Sequence, residues 1–125
     1  MNTPDASDIY RIEKRMKSAC RKMQEMATEV GMAETVIRYD KDRRKDTLAR
    51  YVIKHLKNGE SAAAAEQYAR ADTSYDAEMQ GLLSQAQLAH TTLKLYEVEK
   101  CAWETARSLL SMQREILHTL PETED

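Results

Sequence analysis

Residues 9–37 read IYRIEKRMKSACRKMQEMATEVGMAETVI and place apolar side chains at intervals that alternate between three and four residues. A 3.5-residue repeat sustained over four heptads is typical of a helix that buries one narrow seam in a coiled coil. Methionine recurs in this seam, and its flexible side chain makes an adaptable contact. We therefore predict a long helix that packs through the seam residues Ile9, Ile12, Met16, Ala19, Met23, Met26, Val30, Ala33 and Ile37.

The apolar repeat stops at Asp40, inside the polar segment 39–46. This segment fits either a solvated part of the same helix or a hinge. Helical spacing resumes at Leu48 and ends at Asn58-Gly59, a common helix stop signal. We predict a disordered N-terminus over 1–7, a helix over 8–57 that could be broken near 39–46, and a cap at Ser7 or Asp8.

Two further helices are predicted after the glycine turn. Ser61 caps a short alanine-rich helix over 61–71. Thr73, with Asp76 three residues later, forms a near capping box for a long helix over 74–120. Pro121 ends that helix and leaves 121–125 as an acidic tail, so that 8–120 forms a single helical domain.

The second half of the last helix is apolar on two sides. Trp103, Leu110 and Leu117 lie on one side, and a second side carries apolar residues at similar spacing. A helix with two apolar sides needs two neighbours, which we interpret as intrachain packing plus an oligomer contact. The second side consists of Val98, Ala102, Leu109, Ile116 and Leu120.

These patterns predict an all-α fold. The two long helices form an antiparallel, coiled-coil-like hairpin joined by a short helical elbow, and helices of this length need a partner along their whole extent. We expect the chain to form a homo-oligomer.

Composition and motifs give no support for catalysis. Cys20 and Cys101 lie in helical patterns and are expected to be buried, reduced thiols. His55, His90 and His118 are far apart in sequence and have no metal-ligand spacing. There is no phosphate loop, no nucleophile motif, no signal-peptide pattern and no apolar run of membrane-spanning length. We expect a non-enzymatic, soluble protein of a bacterial cytoplasm, without membrane contact, metal or cofactor.

Charge divides the chain into two halves. Residues 1–57 carry 14 Lys/Arg and 9 Asp/Glu, whereas 58–125 carry 5 and 12. A basic helical half favours binding to nucleic acid or to an acidic protein, although solvated helix charge is the simpler interpretation. Aromatic rings beside the cations could stack on unpaired bases. The candidate nucleic-acid-binding residues are Lys41, Arg43, Arg44, Lys45, Arg50, Tyr51, Lys54 and Lys57.

Three segments carry a resemblance to a known family. They are TLARYVIKHLKNG (47–59), ARAD (69–72) and ARSLLSMQREI (106–116). Together they resemble the UvsY-type recombination mediators of bacteriophages. The resemblance implies a helical oligomer that binds single-stranded DNA and helps to load a recombinase in place of single-strand-binding protein. It also implies that Arg50, Tyr51, Lys54 and Lys57 lie in the DNA-binding stretch.

Two other functions fit the sequence. A phage-encoded adaptor or inhibitor of a host or defence protein would act through the methionine-rich seam and the acidic half. A structural coiled-coil protein of a virion would need only the association surface. The sequence alone leaves the oligomer number and the natural ligand open.

Overall fold

A computed structural model describes residues 5–119 of the chain. It contains three helices, α1 (Ala6–Lys57), α2 (Ala62–Ala71) and α3 (Thr73–Thr119), and the described residues include no strand. The predicted all-α class is confirmed. The predicted tail over 121–125, Leu120 and residues 1–4 lie outside the described part of the chain.

Helix α1 begins earlier than predicted. Its first turn is closed by two aspartates, because Asp8 N donates to Asp5 Oδ1 at 2.9 Å and Asp5 N donates to Asp8 Oδ2 at 3.4 Å. This reciprocal arrangement is a capping box with Asp5 as the N-cap. The expected cap at Ser7 or Asp8 is wrong, and so is the expected disorder where it concerns residues 6 and 7, which are helical.

The polar segment 39–46 is continuous helix, so the possible hinge is absent. Arg44 bonds Asp40 one turn earlier at 3.0 Å, and Thr47 Oγ1 donates to the carbonyl of Arg43 at 2.8 Å. Asp40 is half-buried, and Thr47 and Tyr51 are buried. The inward-facing positions of α1 therefore continue at the same 3.5-residue interval beyond Ile37, with polar and aromatic residues in place of aliphatic ones.

Between the helices, the predicted stop at Gly59 and the predicted cap at Ser61 are confirmed, whereas the cap of α3 lies one residue earlier than predicted. Gly59 adopts φ +91°, a left-handed conformation that favours glycine after a helix. Ser61 caps α2 as predicted, by accepting from the backbone of Ala64. The predicted Thr73 cap of α3 is wrong, because Asp72 occupies that position and its Oδ1 accepts from Ser74 N at 2.9 Å.

The contacts of the chain fall into two compact units, where one domain was expected. The first combines the described parts of Met1–Thr28 and Lys94–Asp125. Its helical segments run antiparallel, since Glu13 bonds Arg114 at 3.4 Å and Lys22 bonds Glu99 at 3.7 Å. The core is a cluster of Ile12, Ala106 and Leu110, with Ile9, Met16 and Leu109 packed against it.

The second unit is Glu29–Leu93 and contains α2. Here too the long helices run antiparallel, since Arg50 bonds Glu78 and the rings of Tyr51 and Tyr75 meet edge to face at 5.6 Å. Ala65 and Ala69 of α2 are fully buried, and their small side chains allow close approach of the neighbouring backbone. The remaining buried alanines of this unit are Ala33, Ala86 and Ala89.

The predicted packing residues have mixed outcomes. Every residue of the predicted seam of α1 is buried or half-buried. On α3, Leu110 is buried and Trp103 is half-buried, but Leu117 is 41% exposed and does not belong to the interior. The structure therefore places the predicted seam residues of α1 in or near the interior, and does so for only part of the predicted side of α3.

Replacing Ala69 by Leu should lower the free energy of unfolding by about 1–3 kcal/mol, because a fully buried alanine leaves no room for three more carbons. Chemical denaturation followed by circular dichroism measures this. Gly31→Ala is the contrasting change, since a Cβ there meets nothing within 4 Å. It should raise stability by up to about 1 kcal/mol. Equal stability of Ala69→Leu and the wild type would contradict close packing of α2.

Candidate nucleic-acid interface

The described residues contain no group of His, Cys, Asp and Glu side chains that could hold a metal ion. None of the helices in that part of the chain is long and apolar enough to cross a membrane. Cys20 is half-buried, whereas Cys101 is exposed, which contradicts its expected burial. The charged flanks of α1 in the second unit are therefore the features to interpret.

Helical rotation divides the predicted nucleic-acid-binding residues between two flanks of α1. At about 100° per residue, Arg43, Arg50, Lys54 and Lys57 share one flank. Lys41 and Lys45 lie on the opposite flank. Arg44 falls between the flanks, on the side of α1 that faces the interior, and bonds half-buried Asp40. We call the group Arg43, Arg50, Lys54 and Lys57 the basic stripe.

Two cations of the basic stripe are bound to acids of the opposing chain segment. Arg50 contacts Glu78 at 2.7 Å, and Lys54 contacts Asp72 at 3.3 Å. Both cationic side chains remain more than half exposed, so these are surface ion pairs of small stabilising value. Arg43 and Lys57 are exposed, and neither forms an ion pair with the described residues. The stripe therefore has two free cations and two that can exchange partners.

Tyr51 does not form an open stacking platform. Tyr51 is only 9% exposed, and its ring packs against the ring of Tyr75. Burial raises the pKa of the Tyr51 phenol, and the hydrogen bond and negative charge of Glu78 raise it further. Lys54 Nζ lies 5.5 Å from the ring centre, a cation–π distance. The Tyr51 ring therefore lies on the interior side of the basic stripe and contacts Lys54 there. The 3.5-residue interval of the seam, continued past Asp40, predicts this inward position.

Tyr39 is an exposed aromatic residue beside the basic stripe that is not among the predicted nucleic-acid-binding residues. It is 47% exposed and lies one turn before Arg43 on the same flank of α1. The i, i+4 spacing from Arg43 was the available signal. Its open ring is available to stack on a base, as the Tyr51 ring is not.

Asp72 connects α1, α2 and α3 at the elbow. Besides capping α3, it lies 3.3 Å from both Lys54 Nζ and His55 Nε2. The backbone N–H of Ser74, followed by the bond and charge of Lys54 and the contact with His55, holds the pKa of the Asp72 carboxyl below its usual value, against an opposing effect of burial. Tyr68 of α2 stacks on the His55 ring with centres 5.9 Å apart.

Comparisons with protein-family models, with curated proteins and with solved structures found no match to this chain. The interpretation of the interface therefore depends on its own geometry and charge.

Asp72→Asn should destabilise the protein at neutral pH, because it removes the negative charge of the α3 cap and the ion pair with Lys54. The lowered pKa means that the wild-type carboxylate stabilises the fold above its unfolded pKa of about 3.9 and loses this effect as pH falls through the folded value. The gap between variant and wild type should therefore close below about pH 4. Thermal unfolding midpoints measured across pH test this.

Asp76→Asn is the matched control for Asp72→Asn. It removes the same charge from the same turn of α3 but leaves the cap in place. Its effect at neutral pH should be smaller. A gap between Asp72→Asn and the wild type that stays constant down to low pH would contradict the proposed role of the carboxylate.

Proposed function

We propose that this chain binds single-stranded DNA through the basic stripe and Tyr39, and that it acts as an oligomeric accessory protein of phage-type DNA recombination. The observation that carries the proposal is the alignment of four exposed cations and one exposed aromatic ring on one flank of α1. Cations that neutralise phosphates supply sequence-independent affinity, and an aromatic ring supplies a stacking surface.

The dimensions of the stripe support a nucleic-acid strand as its ligand. Arg43 and Lys57 are separated by four helical turns, or about 21 Å at 1.5 Å per residue. Arg50 and Lys54 lie between them at helical intervals. A strand that follows this flank of α1 meets a cation on almost every turn. We expect binding without sequence preference, because the stripe contacts phosphate groups and not base edges.

The open ring of Tyr39 favours a single strand over a duplex. In a duplex every base is already stacked on its neighbours, so an aromatic side chain gains little. In a single strand an unstacked base can pack on the ring, which is worth about 1–3 kcal/mol per base.

The mediator role adds protein partners to the proposal. By the resemblance to UvsY-type mediators, these partners are a recombinase and a single-strand-binding protein. The proposed activity is binding and loading rather than catalysis. The acids that bond Arg50 and Lys54 would compete with phosphate for the stripe, which suits a protein that must release DNA to a recombinase.

Arg43→Gln combined with Lys57→Gln should weaken binding to a labelled oligonucleotide without changing the fold, because neither side chain forms an ion pair with the described residues. Loss of two phosphate contacts should also reduce the slope of log K against log salt by about 1.4. Fluorescence anisotropy of single-stranded and duplex probes over a range of salt concentrations measures both effects.

Lys14→Gln combined with Lys17→Gln is the control for net charge, since it removes the same charge from α1 in the first unit. It should leave most of the affinity in place. Glu78→Gln should raise affinity severalfold, because it releases Arg50. Equal losses of DNA affinity in the Arg43/Lys57 variant and in the control would show that the basic stripe is not the binding site.

Tyr39→Ala should weaken binding to the single strand more than binding to the duplex, because only unpaired bases can use the ring. Tyr51→Phe should leave both affinities close to the wild-type values, since that ring is buried. The same anisotropy titrations measure both variants. A larger loss from Tyr51→Phe than from Tyr39→Ala would reverse the roles assigned to the two tyrosines.

A second candidate function is a protein-binding adaptor. The second unit carries an apolar groove in which Met32 and Leu88 are strongly exposed beside Val36 and Ala89. Methionine-containing grooves accommodate amphipathic helices of varied sequence. Met32→Glu combined with Leu88→Glu would abolish such binding and leave DNA affinity intact, which separates the two functions.

A further inference from the structure

The first unit has an apolar groove on one side of its two helices. Val98, Ala102 and Leu109 of α3 line it opposite Ile12 and Ala19 of α1. Several of the lining residues are small, including Ser18 and Thr105, so another helix could approach closely. Val98 is 61% exposed although its side chain is aliphatic.

The α3 side of the groove carries a second coiled-coil repeat. Ala106 and Leu110 already pack with Ile12 of α1, and half-buried Trp103 lies on the same side of α3. About a quarter turn away, another set recurs at alternating intervals of four and three residues, and most of its members are exposed or half-exposed. Such a repeat predicts a partner helix. It consists of Leu95, Val98, Ala102, Thr105, Leu109, Met112 and Ile116.

Unpaired charges of opposite sign flank this repeat. Arg11 and Arg15 lie along the α1 edge of the groove, and Arg15 lines it directly. On α3, helical rotation places Glu104 and Glu115 on the edge turned away from α1. All four side chains are exposed, and none forms an ion pair with the described residues. A partner that carries the same acidic and basic edges would supply an opposite charge to each of them.

The level of one charge pair, Glu115 and Arg11, also matches along the unit. The Glu13–Arg114 bond places Glu115 at the level of Arg11, and the Lys22–Glu99 bond fixes the other end of the antiparallel pair. Glu104 lies between these levels, 11 residues or about 16 Å along α3 from Glu115, whereas Arg15 is only four residues or about 6 Å from Arg11. If two copies are related by a two-fold axis parallel to the helices, the acidic edge of each α3 faces α1 of the other copy. Glu115 then meets Arg11, and Arg15 lies at a level between Glu115 and Glu104 of the other copy.

We propose that a second copy of this chain occupies the groove, with the two α3 helices packed in parallel through the second repeat. A self-complementary patch of this kind is what an isologous dimer requires. The occupant is assigned from charge complementarity, because the chain itself presents both an acidic edge and a basic edge beside the groove. The inference uses only the first unit and is independent of DNA binding by the basic stripe.

The first test is the mass of the full chain at micromolar concentration, measured by size-exclusion chromatography with light scattering. The wild type should have twice the chain mass of 14.4 kDa. Val98→Glu should weaken the dimer at least about tenfold, because like charges across an interface oppose association. Tyr10→Glu is the control, since Tyr10 is equally exposed on a different side of α1. A monomeric wild type, or a dimer that survives Val98→Glu, would overturn the proposal.

Charge reversal tests the identity of the partner. Glu104→Lys with Glu115→Lys gives a chain whose two edges are basic, and Arg11→Glu with Arg15→Glu gives one whose two edges are acidic. Each variant alone should be monomeric but helical by circular dichroism. Mixed together they should form a heterodimer, because both edge pairs are then opposite in sign. Failure of the mixture to associate, with wild-type dimers present, would exclude this arrangement.

The parallel orientation of the two α3 helices is tested by disulfide cross-linking. Val98→Cys, made after Cys20 and Cys101 are replaced by serine, should form an intermolecular disulfide on oxidation, because parallel helices bring the same residue of each copy together. Leu83→Cys in the same background is the control and should remain reduced. Disulfide formation at position 83 but not at 98 would contradict the parallel arrangement.

Discussion

Burial of one narrow seam of α1 against α3 is the contact on which the rest of each unit depends. In the first unit Ile12 packs with Ala106 and Leu110, and in the second Tyr51 packs with Tyr75. Most of the buried apolar residues are alanines, so the helices lie close together and the interior is thin. Two paired helices can each hide only one face, which leaves the flanks open to solvent. Those flanks carry the basic stripe and the second repeat of α3.

Antiparallel pairing changes the meaning of the charge asymmetry in the sequence. The basic half and the acidic half do not form separate poles within a unit, because α1 and α3 run side by side. Arg50 therefore meets Glu78, and Lys54 meets Asp72. The positive potential of the stripe is lower than a count of its cations indicates. Arg43 and Lys57, which have no such partner, should contribute most to any long-range attraction of phosphate.

Local signals predicted the three helices, the glycine stop after α1 and the Ser61 cap of α2, but not the caps of α1 and α3. Gly59 and Ser61 act through the backbone of their own neighbours, so sequence spacing was enough to identify them. The charge of Asp40 predicts a solvent-exposed position, whereas Arg44 one turn later allows Asp40 to face inward. The position of Tyr51 between Arg50 and Lys54 in the sequence favours a DNA contact, whereas the 3.5-residue interval continued past Asp40 places its ring inward.

The second repeat on α3 also explains why that helix has so many exposed apolar residues. A helix in a monomeric two-helix pair would need one seam, and the seam of Trp103, Ala106 and Leu110 already meets that need. Val98 and Met112 remain at least half exposed in the single chain, and exposing them to water has a cost that a second copy would remove. The flanking charges restrict which partner can do so, because the apolar residues alone would accept many helices. On this argument, hydrophobic burial would supply the affinity of the dimer and the edge charges its specificity.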